Sequence, residues 1–201
     1  PQTTAAAVRD AIAARGASVV VHGAVWDESH EHALGLAREK NAVYVHPFDD
    51  PLLWDGHATL IDEVVRAGVA FDCVVASVGG GGLLAGIVEG LRRNGLSHVP
   101  VVAVETEGAA SFAAALAAGE PVTLPAITSV ATSLGARQAM PRLLDLAREH
   151  EIASVVVSDA QAVQACLRDG EVDALLAILT PFALTNADQF ATELIAVATA
   201  Q

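Results

Sequence analysis

The stretch Ser77-Val-Gly-Gly-Gly-Gly-Leu-Leu84 lies between an apolar segment, residues 73–78, and a segment with apolar residues three and four positions apart. The first pattern predicts a buried parallel strand and the second predicts an amphipathic helix. Four consecutive glycines are costly to order, and a tight turn needs only one or two of them. We therefore expect this loop to let backbone N–H groups converge on an anion at the start of the helix.

The loop by itself leaves the nature of the anion open. The spacing Gly80-x-Gly82-x-x-Ala85 fits a relaxed dinucleotide fingerprint, and Glu105 ends the next predicted strand, where it would bind a ribose hydroxyl. A Walker-type loop is excluded because no lysine follows the glycines. A phosphomonoester cofactor, such as pyridoxal phosphate, and a dinucleotide remain. Glu105 also has a simpler interpretation, a solvated carboxylate at the end of a strand.

Strands and helices alternate on both sides of this loop. Thr3 or Thr4 is expected to cap the first helix. The turn-rich segment 46–56 predicts a boundary between two domains, residues 1–49 and residues 50–201. Within the second domain, the part from about residue 171 is atypical. The alternation predicts an α/β fold, a three-layer αβα arrangement with a mostly parallel sheet. The predicted strands are 18–21, 43–45, 73–78, 101–104 and 154–157, and the main predicted helices are 27–40, 83–91, 109–118, 143–149 and 159–167.

Charge and composition exclude several classes of partner. The net charge is −13 and Lys40 is the one lysine, so the chain lacks the clustered cations that a nucleic acid requires. No apolar run approaches the ~20 residues of a membrane span, and the first residues do not resemble a signal peptide. We expect a cytoplasmic protein with no membrane and no nucleic-acid partner. Cys73 and Cys166 form no metal-type pair and are expected to be buried free thiols.

Five segments of the chain resemble the animal-type L-serine dehydratases. Those enzymes are fold-type II pyridoxal-phosphate enzymes, like the threonine dehydratases and serine racemases. The likeness runs through residues 1 to 170 in one continuous order. The segments are GASVVVHGAVWDESHEHAL (16–34), YVHPFDDPLLWDGH (44–57), SVGGGGLLAGIVEGL (77–91), VPVVAVETEGAASF (99–112) and LPAITSVATSLGAR (124–137).

This resemblance implies a pyridoxal-phosphate lyase that removes ammonia from L-serine or L-threonine by α,β-elimination, and a homodimer. Residues 1–49 would be part of the smaller lobe and residues 50–201 the larger, cofactor-binding lobe. The residues implied for the cofactor phosphate are Gly79, Gly80, Gly81, Gly82 and Leu83. A monovalent cation, K+, is implied at mainly backbone oxygens of Gly79, Glu105, Ala109, Leu134 and Ala136.

The family's catalytic lysine forms a Schiff base with the cofactor and belongs to a Ser-x-Lys motif upstream of the matched residues. Lys40 is no substitute, because it ends a polar helix whose dipole it complements. We therefore expect no catalytic residue in this chain and no activity from the chain as given. Two other hypotheses remain: a non-catalytic remnant that binds a phosphate ligand or a partner, and a dinucleotide-binding domain. Residues 179–183 match the family's pyridine-nitrogen segment too poorly to carry a role.

Overall fold

A computed structural model describes residues 1–131 and 134–168 of the chain. The described residues form seven helices and three strands in an alternating order. The helices are α1 Ala6–Ala13, α2 Trp26–Lys40, α3 Pro51–Arg66, α4 Gly82–Arg93, α5 Ser111–Ala118, α6 Arg142–Glu149 and α7 Asp159–Arg168, and the strands are β1 Val74–Ser77, β2 Val101–Thr106 and β3 Ile152–Val157.

The three strands form one parallel sheet in the order β1-β2-β3. In its register, Val74 lies beside Val101 and Val101 beside Ile152. Helix α4 connects β1 to β2, and α5 and α6 lie between β2 and β3 in the sequence. Parallel neighbours require such crossovers, which place the carboxyl ends of all three strands at one edge of the sheet. The predicted α/β class with a mostly parallel sheet is confirmed.

The core lies on one face of this sheet. Side chains of β1 and β2 are buried there against α4 and α6, and α3 joins the same core through Ile61, which is 1% exposed. The opposite face carries Val75, which is 68% exposed, and Val155, which is 40% exposed. Alternation along each strand sends neighbouring side chains to opposite faces, so one face is packed and the other is open to solvent.

The chain divides into two compact units, one containing Pro1–His46 and one containing the remaining described residues from Pro47 onward. In the second unit, α3 begins inside the segment that was predicted to be a turn. Asp50 caps this helix by accepting a hydrogen bond from the Leu52 N–H at 2.9 Å, and Pro51 occupies the first helical position. The assignment of the two units to family lobes stays a prediction.

Two predicted strands in the first unit, 18–21 and 43–45, are not strands in the structure. Val20 is 60% exposed and Val43 is 90% exposed. Their β-branched composition favours extended backbone, but a strand needs a hydrogen-bonded neighbour, and none pairs with them in the described part of the chain. The predicted cap of α1 is also wrong. Its first turn follows Ala5 without a side-chain cap, and the Thr3 hydroxyl donates to the Ala24 carbonyl instead.

Two further predictions concern cysteine and the end of the chain. Cys73 is exposed rather than buried, because it precedes β1 and does not lie within it. Side-chain placement at Cys166, the atypical part from 171 and the weak match at 179–183 lie outside the described residues.

Candidate functional site

The glycine loop, residues 79–82, connects β1 to α4 at the carboxyl edge of the sheet. The Val78 N–H still pairs with the Val104 carbonyl at 2.8 Å, so the loop leaves the sheet directly after it. Gly81 has a φ of +107°, a left-handed conformation that glycine adopts without strain. Helix α4 begins at the next residue, and its N-terminus therefore faces the loop.

Close packing explains why all four loop residues are glycine. A Cβ on Gly79 would lie 2.8 Å from the Leu134 carbonyl oxygen, and one on Gly82 would lie 2.8 Å from the Phe48 carbonyl oxygen. A Cβ on Gly80 would overlap the ring of Phe48, and one on Gly81 would overlap the Leu143 side chain. The surrounding chain therefore requires glycine at all four positions, a packing role that the sequence did not indicate.

The carbonyl groups and the N–H groups of the loop differ in their hydrogen bonding. The Gly80 carbonyl accepts from the Met140 N–H and the Gly81 carbonyl accepts from the Ala85 N–H, each at 3.0 Å. No described residue accepts a hydrogen bond from the N–H groups of residues 79–83. Helix N-termini leave their first N–H groups without intrahelical partners, and the helix dipole makes that end electropositive. The loop thus presents N–H donors, with the Gly80 and Gly81 carbonyls already occupied, which suits a phosphate.

Glu105 is fully buried at the end of β2, so its interpretation as a solvated carboxylate is wrong. Its two carboxylate oxygens accept hydrogen bonds from the N–H groups of Phe112, at 2.8 Å, and Ala113, at 2.7 Å. Burial raises the pKa of the carboxyl group above its ordinary value, and the two hydrogen bonds oppose that shift. Because the carboxylate is fully enclosed by the surrounding chain, a ribose hydroxyl cannot reach it from solvent.

This buried carboxylate has no cationic side chain beside it among the described residues. A buried charge is costly unless it is paired, and two N–H groups with one helix dipole compensate it incompletely. The neighbouring Ser111 hydroxyl is buried too, and it has no hydrogen-bond partner in the described part of the chain. Buried hydroxyls are normally satisfied, so the Ser111 oxygen is available to a further hydrogen-bond partner or to a cation.

The other predicted cation positions are partly brought together. The potential Cβ contact places Leu134 against Gly79, and the Ala136 N–H donates to the Leu134 carbonyl at 2.9 Å. Ala109 is fully buried in the connection between β2 and α5. Ser111 was missed in the sequence. Its position could have been used as a signal, because Ser111 is a small hydroxyl residue in the first turn of a helix and follows Glu105 by six residues.

Comparisons with known proteins identify the family of this chain. The sequence profile of the pyridoxal-phosphate dependent enzyme family matches residues 1–177. The chain belongs to that family. The match confirms the resemblance, and it selects pyridoxal phosphate over a dinucleotide as the family's cofactor.

Relatives of this pyridoxal-phosphate family chain include serine dehydratase-like from Mus musculus, which is 50% identical over 84% of this chain and 51% of the relative. Human L-serine dehydratase/L-threonine deaminase is 47% identical over 82% of this chain and 51% of the relative. A solved L-serine ammonia-lyase from Rhizomucor miehei superimposes with a TM-score of 0.74 at 34% identity, covering 83% of this chain and 53% of that one. The chain thus spans about half the length of these relatives.

A second solved structure, the processed form of threonine deaminase isoform 2 from Solanum lycopersicum, gives a TM-score of 0.74 at 30% identity. It covers 83% of this chain and 46% of that structure. The L-serine ammonia-lyase and this threonine deaminase thus have the same TM-score to this family member.

Histidines of the first unit meet in a way that the sequence did not reveal. The rings of His22 and His32 stack with centroids 4.0 Å apart, and the Nδ1 atom of His30 lies 2.7 Å from the Tyr44 hydroxyl. The described residues contain no group of three or more His, Cys, Asp or Glu side chains arranged for a metal ion. Nor does any helix in the described ranges have the length and apolar character to cross a bilayer.

Proposed function

We propose that the chain supplies the phosphate-binding and cation-binding part of a pyridoxal-phosphate enzyme that acts on L-serine or L-threonine. The reaction is α,β-elimination, which yields pyruvate or 2-oxobutanoate and ammonia. The observation that carries the proposal is the row of unpartnered N–H groups at residues 79–83, at the start of α4. The support for the reaction comes from relatives that are named as serine dehydratases and a threonine deaminase.

The residues Gly79, Gly80, Gly81, Gly82 and Leu83 would bind the cofactor phosphate. Backbone donors suit this role because the net charge of −13 leaves few cationic side chains for it. Their geometry is fixed before binding, since Phe48 and Leu143 pack against the loop from outside. A preformed site of this kind avoids the entropic cost of ordering four glycines around the ligand.

The buried oxygens around Glu105 would bind K+ beside the loop. Its proposed ligands are the backbone carbonyls of Gly79, Ala109, Leu134 and Ala136, the Glu105 carboxylate and the Ser111 hydroxyl. Oxygen ligands of this type suit hard cations. A cation there would compensate the buried charge of Glu105 and would satisfy the Ser111 hydroxyl. It would also tie the start of α5 to the glycine loop, which stabilises the phosphate site.

Pyridoxal phosphate supplies the electron sink that stabilises negative charge at the substrate Cα. This chain contributes binding and orientation of that group. Lys40 ends α2 in an exposed position and is the one lysine among the 201 residues. We therefore expect the 201-residue chain to bind the cofactor without turning over serine. We also propose that the enzyme is a homodimer in the cytoplasm and that its substrate is a small amino acid.

The single lysine favours a second candidate, a non-catalytic protein that binds a phosphate ligand or a partner. Borohydride reduction of the protein from its native source, followed by intact mass measurement, separates the two. The enzyme predicts a chain heavier than 20.6 kDa that carries a reduced pyridoxyl group. A chain of 20.6 kDa without the adduct would establish the second candidate instead.

A further inference from the structure

A second buried polar cluster links the sheet to the segment that contains Leu134. Thr106 and Ser129 are almost fully buried, and their hydroxyl oxygens lie 2.7 Å apart. The Ser129 hydroxyl donates to Asp159 Oδ1 at 2.7 Å, and the Val130 N–H donates to Asp159 Oδ2 at 3.0 Å. The Ala131 N–H donates to the Ser129 oxygen at 3.0 Å.

The chemistry of these groups determines which one donates and which one accepts in each hydrogen bond of the network. A carboxylate only accepts, so the one Ser129 proton is committed to Asp159. Thr106 must then donate to Ser129, and Asp159 receives two hydrogen bonds from consecutive residues of the loop. An amide at position 159 would keep one acceptor oxygen for one of these two loop donors. Its NH2 group would face the other donor, with which it cannot form a hydrogen bond in place of the carboxylate oxygen. Hydrogen bonds to a charged acceptor are the stronger kind, so this carboxylate restrains the loop.

Asp159 is not needed to cap its own helix. The Ser158 hydroxyl accepts from the Gln161 N–H at 3.1 Å, and the Gln161 side chain accepts from the Ser158 N–H at 2.8 Å. This reciprocal pair is a capping box, and it serves the start of α7. The Asp159 carboxylate, at the first position of α7, is directed to Ser129 and Val130 instead.

A short path of contacts continues from this network to the glycine loop. The Leu134 N–H donates to the Ala131 carbonyl at 2.9 Å, so the position of Ala131 restrains Leu134. The Leu134 carbonyl oxygen in turn lies 2.8 Å from where a Cβ of Gly79 would be. Asp159 is therefore linked by hydrogen bonds through Ser129 and Ala131 to Leu134, a proposed cation ligand, while contributing no ligand itself.

We propose that Asp159 is a positioning residue that sets the affinity of the protein for a monovalent cation. Through Ser129 and Ala131 it holds the Leu134 carbonyl beside Gly79. This inference rests on the proposed cation-binding function. A fixed ligand raises affinity because the loop loses less conformational entropy on binding.

The test titrates Tl+, a K+ substitute with its own NMR signal, into the 201-residue chain and into two variants. Asp159→Asn is expected to weaken Tl+ binding by about tenfold, which corresponds to one lost charge-assisted hydrogen bond. Asp62→Asn is the matched control, because both Asp62 oxygens are also engaged, by Arg93 and Asn94 on the surface of α4. That control is expected to bind Tl+ within about twofold of the wild type, as surface ion pairs contribute little.

Amide hydrogen exchange at Val130 and Ala131 provides a readout that does not depend on the cation. Both amides are expected to exchange faster in Asp159→Asn and to be unchanged in Asp62→Asn. Ser129→Ala, which removes the link to Thr106 and leaves Asp159 intact, should also weaken Tl+ binding and covers the case in which Asp159→Asn misfolds.

The possible failures are distinguishable. Asp159→Asn and Ser129→Ala variants that fold and bind Tl+ like the wild type would overturn the role of Asp159 and leave the cation site standing. A wild-type chain that takes up no Tl+ would overturn the cation site and the role of Asp159 with it, and the phosphate-binding part of the proposed function would be unaffected.

Discussion

At the scale of single residues, the site depends on positions where a side chain is absent or unusually buried. Gly81 combines a left-handed backbone with a Leu143 side chain that fills the space of its missing Cβ. Glu105 places a carboxylate where no solvent reaches it. The sequence pointed to both residues, but it indicated neither the packing around the glycines nor the burial of Glu105. Those properties come from Phe48, Leu143 and α5, which are distant in the sequence.

Gly81→Ala is expected to destabilise the chain by about 2–4 kcal/mol, from ~1 kcal/mol of left-handed strain together with overpacking of ~1–3 kcal/mol. Gly95→Ala is the matched control, since Gly95 has a φ of +73° but no atom near its potential Cβ. The control should lose only the strain contribution, about 1 kcal/mol. Urea unfolding of the two variants measures the difference, and equal losses would show that the contact with Leu143 is not restrictive.

The raised pKa of Glu105 predicts a pH dependence of stability. An acid whose pKa is higher in the folded state binds its proton more tightly there, so its contribution is fully present below the unfolded-state pKa and is lost as pH rises through the folded-state pKa. Without K+, the free energy of unfolding of the wild type should fall relative to that of Glu105→Gln as the pH rises above about 4, the ordinary pKa of an unfolded glutamate. Denaturant titrations over this range give the comparison.

K+ should reduce that fall, because a cation stabilises the ionised carboxylate. The same titrations are repeated in a K+ buffer and in a buffer of a bulky organic cation. The difference between the two buffers separates the effect of burial on Glu105 from the effect of K+ binding. Parallel curves for the wild type and Glu105→Gln in both buffers would contradict the assignment of Glu105 as a buried ligand.

At the scale of elements, helix α4 is positioned by small residues on the side that meets α3. A Cβ on Gly90 would lie 2.7 Å from the Ala58 carbonyl oxygen, and one on Gly86 would lie 2.8 Å from the Trp54 carbonyl oxygen. The two glycines are one turn apart, so they lie on the same face of α4. Since α4 begins at the glycine loop, its closeness to α3 also fixes the direction of the phosphate-binding end.

Gly90→Ala is therefore expected to destabilise the chain by about 1–3 kcal/mol, although alanine is the better helix former. Gly56→Ala provides the contrast within α3, because no atom lies near its potential Cβ. It should stabilise the chain by about 0.5–1 kcal/mol. Thermal unfolding of both variants gives the sign directly, and a stabilised Gly90→Ala would show that the helices can separate without loss.

Much of the element order was predictable because strong hydrophobic periodicity is local. Apart from α3, the strands and helices of the second unit appear within a few residues of their predicted positions, including α4 and β2 around the loop. The predictions failed where the outcome depends on distant partners. The apolar segment around Val43 looks like a strand but has no neighbour to pair with, and the hydroxyls of Ser111 and Ser129 became notable only when the fold buried them.

At the scale of the whole molecule, the described residues form a parallel sheet with one well-packed face and one face that carries exposed side chains. Val75 and Val155 lie on the open face, and the chain spans about half the length of the relatives it matches. The packed face carries the glycine loop and the Glu105 cluster at the carboxyl edge, where parallel sheets normally bind ligands. Cofactor phosphate binding is thus the part of the proposed function that we assign to these 201 residues.

The most direct test of that claim compares two ligands that differ only in the phosphate. Pyridoxine 5′-phosphate and pyridoxine both lack the aldehyde, so neither reacts with Lys40 or the chain terminus. Isothermal titration of the 201-residue chain should show binding of the phosphate ester and binding of pyridoxine weaker by at least about tenfold, because in the proposed site the N–H groups of residues 79–83 would contact only the phosphate. Equal affinities, or no binding of either ligand, would contradict the assignment of the glycine loop.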